Sequence, residues 1–163
     1  MSIFDILLKS PANERSSAPQ SDCPLCTTHG GELIWRGAFW RVVAVNDANY
    51  PGYLRLIVNR HVAEFSELAA PEQQQLFKLL VAIETRMREL INPDKINIAS
   101  LGNHVPHQHW HIIPRWKDDP CFPDSIWTAP HKPSPAADVL AQRQKAAARL
   151  FAELPSLCPK TIY

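Results

Sequence analysis

Apolar residues recur along this chain at two spacings, one typical of β-strands and one typical of α-helices. Short stretches rich in Ile, Val, Trp and Phe, with partial alternation of apolar and polar positions, occupy residues 32–36, 39–46 and 53–58. Residues 95–100 and 107–114 repeat this pattern further along the chain. Alternation places successive side chains on opposite faces of a strand, so these stretches predict five β-strands.

Two longer stretches predict helices, over residues 71–91 and from Ser134-Pro135 to about Glu153. Proline suits the first turn of a helix, and Asn92-Pro93 ends the first of the two. The apolar stripe of that first helix has helical spacing and is formed by Leu76, Leu79, Leu80, Ile83, Met87, Leu90 and Ile91.

The predicted elements follow each other in the order β-β-β-α-β-β-α. The connections between the first three strands are too short for crossover helices, which favours antiparallel pairing. We therefore predict an α+β fold, with a five-stranded antiparallel sheet, one central helix and a C-terminal helix.

The length and composition are those of one globular domain. The chain has 163 residues, of which 45% are hydrophobic and 20% are charged. A net charge of +1 gives no large basic field, so binding to a nucleic acid polymer is not expected. No apolar run is long enough to cross a membrane, and residues 1–9 predict a short helix rather than a secretory signal. A cytoplasmic location is expected.

The chain divides into three parts by composition. Residues 1–22 contain a polar, Pro- and Ser-rich stretch and are predicted to be a flexible extension. Residues 23–115 hold the predicted sheet and the candidate chemistry, as a catalytic core. Residues 116–163 form a Pro-rich loop and a helix that is expected to pack on the same domain.

Four of the seven histidines fall between residues 104 and 111. His107, His109 and His111 alternate with other residues, so on a strand they would form one polar row. Imidazole is both a metal ligand and a competent nucleophile near neutral pH. The residue types by themselves leave three alternatives open: an ordinary strand with surface histidines, a metal site and a catalytic site.

Cys23 and Cys26 are separated by two residues, which is typical of half a zinc site or of a redox pair. No strand precedes Cys23, which disfavours the redox pair. His61 and one histidine of the row could complete a Cys₂His₂ site, and His104 is a competing fourth ligand. Cys121 and Cys158 are interpreted as ordinary thiols.

The segment His107-Gln108-His109-Trp110-His111-Ile112-Ile113 resembles the signature of the histidine-triad family, His-φ-His-φ-His-φ-φ with φ apolar. The resemblance extends over residues 23–115 and is closest to the bacterial branch related to dinucleoside polyphosphate hydrolases. Three departures stand out. Gln108 is polar where the family prefers an apolar residue, Asn103 is shorter than the usual Gln, and the segment from Asn46 to Pro51 is one residue shorter than usual.

The resemblance implies nucleotidyl transfer from a dinucleoside polyphosphate or a nucleoside phosphoramidate. By their positions in the family signature, His109 would be the nucleophile that attacks the α-phosphorus, and His111 would contact the phosphate or the leaving group. Asn103 contacts the α-phosphate side. Asn46 holds the ribose hydroxyls, or Asp47 does so, because this segment is one residue shorter than usual.

The resemblance also implies a structural Zn²⁺ held by Cys23, Cys26, His61 and His107, and a homodimer that joins two sheets. The expected activity is nucleotide hydrolysis, which His111 favours because the uridylyltransferase relatives have Gln at that position. Two alternatives stay open, namely a nucleotidylyltransferase or phosphorylase and a zinc-stabilised nucleotide-binding protein with little turnover. Trp116 and Trp127 are candidates for lining a substrate cleft.

Overall fold

The computed structural model describes residues 18–158, so the short helix predicted over residues 1–9 lies outside the described residues. Five strands and three α-helices are present in that part of the chain. The strands are β1 (Glu32–Arg36), β2 (Trp40–Ala44), β3 (Leu54–Val58), β4 (Lys95–Ala99) and β5 (His109–Arg115). The helices are α1 (Pro24–Thr27), α2 (Ala70–Leu90) and α3 (Ala137–Leu157).

All five strands pair antiparallel in the spatial order β1-β2-β3-β5-β4. The predicted α+β fold with a five-stranded antiparallel sheet, a central helix and a C-terminal helix is therefore confirmed. β5 is inserted between β3 and β4, which makes it a central strand. The side chains of β5 are consequently held by neighbours on both sides.

β5 begins two residues later than the alternation predicted. The N–H of His107 donates to the Val105 carbonyl at 2.8 Å, and the N–H of Gln108 donates to the Val62 carbonyl at 2.6 Å. These bonds turn the chain away from the ladder with β3, whose register starts where Ile57 opposes His109. His107 therefore precedes the strand instead of sharing the row of His109 and His111.

One face of the sheet packs against α2 and α3. Leu54, Leu56 and Val58 of β3 point to this face and are fully buried, as is Ile112 of β5. Burial of each such side chain contributes about 1.5–3 kcal/mol. The helices supply the other side of the same core through Leu76, Leu79, Leu80, Ile83, Met87, Ala147, Leu150 and Leu154. Trp116 belongs to this core and is not among the residues that line the cleft with His109 and His111.

The opposite face of the sheet carries polar side chains and is partly covered by the long loop after β5. A buried ion pair fixes the start of this loop, because Arg115 Nε donates to Asp119 Oδ2 at 2.7 Å. Asn97 and the Asp124 carbonyl accept further hydrogen bonds from the same guanidinium, at 2.7 and 2.8 Å. Within residues 18–158 no helix is long and apolar enough to span a membrane.

Candidate active site and metal centre

A cleft of about 370 Å³ lies on the polar face of the sheet. His109 and His111 of β5 line it together with Arg55 of β3. The antiparallel register explains this grouping, since Ile57 opposes His109 and Arg55 opposes His111. The remaining walls come from loops and α1, namely from Leu25, Leu101, Gly102, Asn103, His104, Val105 and Trp127.

His109 is held in one tautomer by a backbone carbonyl. Its Nδ1 lies 2.6 Å from the carbonyl oxygen of His107. A carbonyl oxygen can only accept, so Nδ1 carries the proton and Nε2 keeps a free lone pair. Burial lowers the pKa of His109, the His107 carbonyl opposes this shift and the charge of Arg55 adds to it. His109 is therefore neutral near pH 7 and has the lone pair of a nucleophile.

His111 is hydrogen-bonded to a buried tyrosine, Tyr53. The hydroxyl of Tyr53 lies 2.5 Å from His111 Nδ1. Burial, and then the charges of His109 and Arg55, lower the pKa of His111 to about 4, so this ring is also neutral at pH 7. The Trp127 ring meets His111 edge-on at 5.0 Å between centroids, which completes that side of the cleft.

Sequence reasoning missed Tyr53 and Arg55 as site residues. The only signal for them was the alternation of 53–58, which places both side chains opposite the apolar row of β3. Gly30 adopts a φ of +80°, which favours glycine, and its carbonyl accepts from the guanidinium of Arg55 at 3.3 Å. The turn between α1 and β1 is therefore tied to the cleft.

The predicted nucleotide-binding residues take different positions. Asn103 lines the cleft with an exposed side chain. Asn46 is exposed, and Asp47 accepts the Asn49 N–H at 2.9 Å in the loop after β2. Neither of these two residues is among those that line the cleft, although the charge of Asp47 adds to burial in raising the pKa of Tyr53.

The four predicted metal ligands form one group beside this cleft. One donor atom from each of Cys23, Cys26, His61 and His107 lies within 4.8 Å of the others. Cys26 Sγ is 3.3 Å from His61 Nδ1 and 3.6 Å from His107 Nδ1. Tetrahedral zinc with usual bond lengths separates sulfur and nitrogen ligands by about 3.5 Å, so the donor set fits such an ion.

His107 is prepared for this role through its second ring nitrogen. Its Nε2 donates to the Val58 carbonyl at 2.9 Å, which leaves the lone pair on Nδ1 facing the thiols. Burial lowers the pKa of His107 to about 4, so the ring is neutral as a ligand must be. His104 is exposed at the cleft and lies outside this group, so the structure brings His107 to the cysteines.

A buried arginine holds the cysteine segment in place. Arg41 of β2 donates to the carbonyls of Leu25, His29 and Val58 at 2.6, 3.0 and 3.2 Å. These bonds connect α1 and the following turn to the sheet without any metal. Gln108, the polar residue of the motif, is also buried and donates to the Ala63 carbonyl at 3.0 Å.

The chain is similar in sequence to several known proteins. The HIT domain matches residues 39–118. Bis(5'-adenosyl)-triphosphatase of Saccharomyces cerevisiae is 38% identical over 73 residues, which are 41% of this chain and 35% of the yeast protein. AP-4-A phosphorylase of Mycobacterium tuberculosis is 24% identical over 121 residues, which are 70% of this chain and 62% of that protein. The chain thus spans about a third of the length of the yeast relative.

Among solved structures, a histidine triad protein from Bradyrhizobium japonicum superposes with a TM-score of 0.58. The two chains are 31% identical over 74% of this chain and 91% of that one. The likeness therefore covers nearly the whole of that protein.

Proposed function

The chain belongs to the histidine triad (HIT) family, and from this premise we propose that it cleaves nucleoside 5′-phosphate derivatives at the α-phosphorus through a nucleotidyl-His109 intermediate. The observation that carries the proposal is the hydrogen bond from His109 Nδ1 to the His107 carbonyl, which frees Nε2 beside the cleft. A histidine nucleophile divides one difficult displacement into two easier ones.

In the first step, the Nε2 lone pair of His109 attacks the α-phosphorus, and the bond from that phosphorus to the leaving group breaks. The electron pair of the broken bond departs with the leaving group. Because Nδ1 keeps its proton, the product is a nucleotidyl-imidazolium with one positive charge. The His107 carbonyl oxygen lies 2.6 Å from Nδ1 of His109 and stabilises that charge by accepting a hydrogen bond from Nδ1–H.

In the second step, water attacks the same phosphorus and the phosphorus–nitrogen bond breaks. Its electron pair returns to Nε2, one proton of the water is released to solvent, and His109 is neutral again. His111 assists both steps if the Tyr53 hydroxyl donates to Nδ1, because Nε2–H then remains to donate to a phosphate oxygen.

The test is turnover of diadenosine triphosphate, diadenosine tetraphosphate and adenosine 5′-phosphoramidate by the wild type, His109→Ala and His131→Ala. His131 is an exposed histidine of the loop after β5 and serves as the matched control. We expect His109→Ala to lose about 10³-fold or more in kcat, with His131→Ala unchanged. Rapid-quench mass spectrometry of the wild type should show an adduct of one nucleotidyl group. Equal, slow turnover by all three proteins would instead favour a nucleotide-binding protein with little turnover.

A phosphorylase is the second candidate, because a relative that matches 70% of this chain is named AP-4-A phosphorylase. A phosphorylase would transfer the nucleotidyl group to inorganic phosphate instead of water. With inorganic phosphate added to the diadenosine tetraphosphate assay, a phosphorylase would form ADP in place of AMP from the transferred nucleotidyl group. AMP as the sole product of the transferred nucleotidyl group would favour hydrolysis.

We also propose that Cys23, Cys26, His61 and His107 hold a structural Zn²⁺. The support is that the four donor atoms lie within 4.8 Å of one another and that the Nδ1 lone pair of His107 faces the thiols. Four protein ligands leave no open coordination position for water, so the ion would stabilise the cysteine segment without taking part in bond breaking.

A homodimer is proposed on the resemblance and on one exposed surface. β4 is an edge strand, and Ile98 on it is 38% exposed. Phe77 and Val81 of α2 are 54% and 62% exposed, and Glu84 on the same helical stripe lines a cavity with β4. An apolar patch next to the open edge of a strand is suited to pairing with a second copy of the chain.

A further inference from the structure

Arg55 is a cation in the cleft whose hydrogen-bonding capacity is largely unused. It is half-buried on β3, where neighbouring positions Leu54 and Leu56 are fully buried. Its Nε–H is buried without a partner among residues 18–158. One terminal nitrogen donates to the Gly30 carbonyl at 3.3 Å, and the guanidinium lies 5.9 Å from the Tyr53 ring and hydrogen-bonds the Tyr53 side chain.

The charge of Arg55 is also uncompensated. Within the described part of the chain, Arg55 forms no ion pair with a carboxylate, whereas Arg60, Arg115 and Arg143 each do. A buried donor and an unpaired charge are costly unless a ligand completes them. The geometry therefore calls for an anionic group inside the cleft.

The position of Arg55 indicates which part of a substrate it would meet. Arg55 opposes His111 across the β3–β5 ladder, while the nucleophile His109 opposes Ile57. The backbone of Arg55 thus lies two residues along the ladder from the position opposite His109, on the side of His111. Two residues correspond to roughly 6.6 Å along a strand.

We propose that Arg55 binds a phosphate of the leaving group, so that the preferred substrates are nucleotides with an anionic polyphosphate leaving group rather than nucleoside phosphoramidates. This inference rests on the proposed function. When the anhydride bond breaks, its electron pair stays on the departing phosphate oxygen, which gains negative charge next to the guanidinium. An amine leaving group takes up a proton and departs neutral, so it gains little from the same cation. A planar guanidinium also matches the oxygens of a phosphate group.

The experiment compares Arg55→Gln, Arg55→Lys and the control Arg149→Gln, an exposed arginine of α3, with the wild type. Each protein is assayed with diadenosine tetraphosphate and with adenosine 5′-phosphoramidate. We expect Arg55→Gln to lower kcat/KM for the polyphosphate about 10²-fold and for the phosphoramidate less than about threefold. Arg55→Lys should recover part of the loss, and Arg149→Gln should match the wild type.

Equal losses on both substrates would overturn the proposal, because Arg55 would then serve the α-phosphate or the fold. An unchanged kcat/KM for the polyphosphate would overturn it as well. A binding measurement separates this result from the proposed catalytic role. In a His109→Ala background, Arg55→Gln should weaken the affinity for inorganic pyrophosphate, measured by calorimetry, about tenfold. The affinity for AMP should stay unchanged. This readout needs no turnover, so it decides the role of Arg55 even if His109 proves not to be a nucleophile.

Discussion

The backbone carbonyl of His107 accepts a hydrogen bond from His109 Nδ1 at 2.6 Å, while the His107 ring lies among the ligands of the candidate metal site. One residue thus belongs to both sites, through its main chain in one and its side chain in the other. Leu25, between the two cysteines, also lines the cleft that holds His109. Displacing the cysteine segment should therefore disturb the proposed nucleophile.

Replacing Cys26 by Ser should lower the metal content, the thermal stability and the activity together. A serine hydroxyl is a much poorer zinc ligand than a thiolate, and release of His107 would let its carbonyl move away from His109. We expect zinc well below one ion per chain by elemental analysis, a melting temperature several degrees lower, and kcat reduced by about 10- to 100-fold.

Cys158→Ala is the matched control, because Cys158 is a buried thiol in the main core, away from the metal group. It should retain the wild-type metal content. Purified Cys26→Ser protein with a full complement of zinc, or wild type without any, would contradict the proposed site.

Removing the hydroxyl of Tyr53 should impair catalysis more than folding. Tyr53→Phe leaves His111 Nδ1 without its partner, so the ring loses its fixed orientation. We expect kcat to fall about tenfold while the free energy of unfolding falls by about 1 kcal/mol.

Tyr50→Phe provides the comparison. Tyr50 is also buried, and its hydroxyl donates to Asp119 at 3.4 Å, away from the cleft. It should show a similar loss of stability with kcat unchanged. If both variants kept full activity, Tyr53 would have no positioning role.

Acid should destabilise the protein through Asp119. Burial by itself raises the pKa of this carboxyl, but hydrogen bonds from Arg115 and from the Cys121 N–H outweigh that effect, so the pKa lies below its usual range. A depressed pKa in the folded state stabilises the protein at pH values above the ordinary aspartate pKa of about 3.9. That contribution is lost as the pH falls through the lower pKa of the folded state.

Asp119→Asn should remove this part of the acid sensitivity and cost about 3–5 kcal/mol at pH 7, because it leaves the Arg115 charge buried and unpaired. Thermal unfolding of both proteins from pH 7 to about pH 2.5, in the presence of a chelator, measures the effect. Parallel stability curves for the two proteins would show that Asp119 does not titrate in this range.

Val81→Asp should dissociate the proposed homodimer. Val81 is 62% exposed on α2, so the change should leave the isolated subunit folded while placing a charge in the apolar patch. Light scattering coupled to size exclusion should then report a monomer. Ala148→Asp, an exposed substitution on α3, should leave the mass at that of two chains. A monomeric wild type would rule out the dimer.

The sequence by itself determined the five strands, the two long helices and their order, whereas the four-residue α1 was not predicted. Alternation located β3, and helical spacing located α2 to within a residue at each end, because these periods follow from local backbone geometry. The motif from His107 onward pointed to the family. The Cys23–Cys26 spacing, extended by the resemblance, pointed to four residues that lie together in the structure.

Only the tertiary structure decided how the histidine row divides. Hydrogen bonds of His107 with Val105 and of Gln108 with Val62 make the strand begin at His109 and turn His107 toward the cysteines. The tertiary structure also brings Tyr53 and Arg55 beside His111, although they lie 58 and 56 positions before it along the chain. Strand register fixes such pairings, and register depends on packing across the whole sheet, which no local pattern contains.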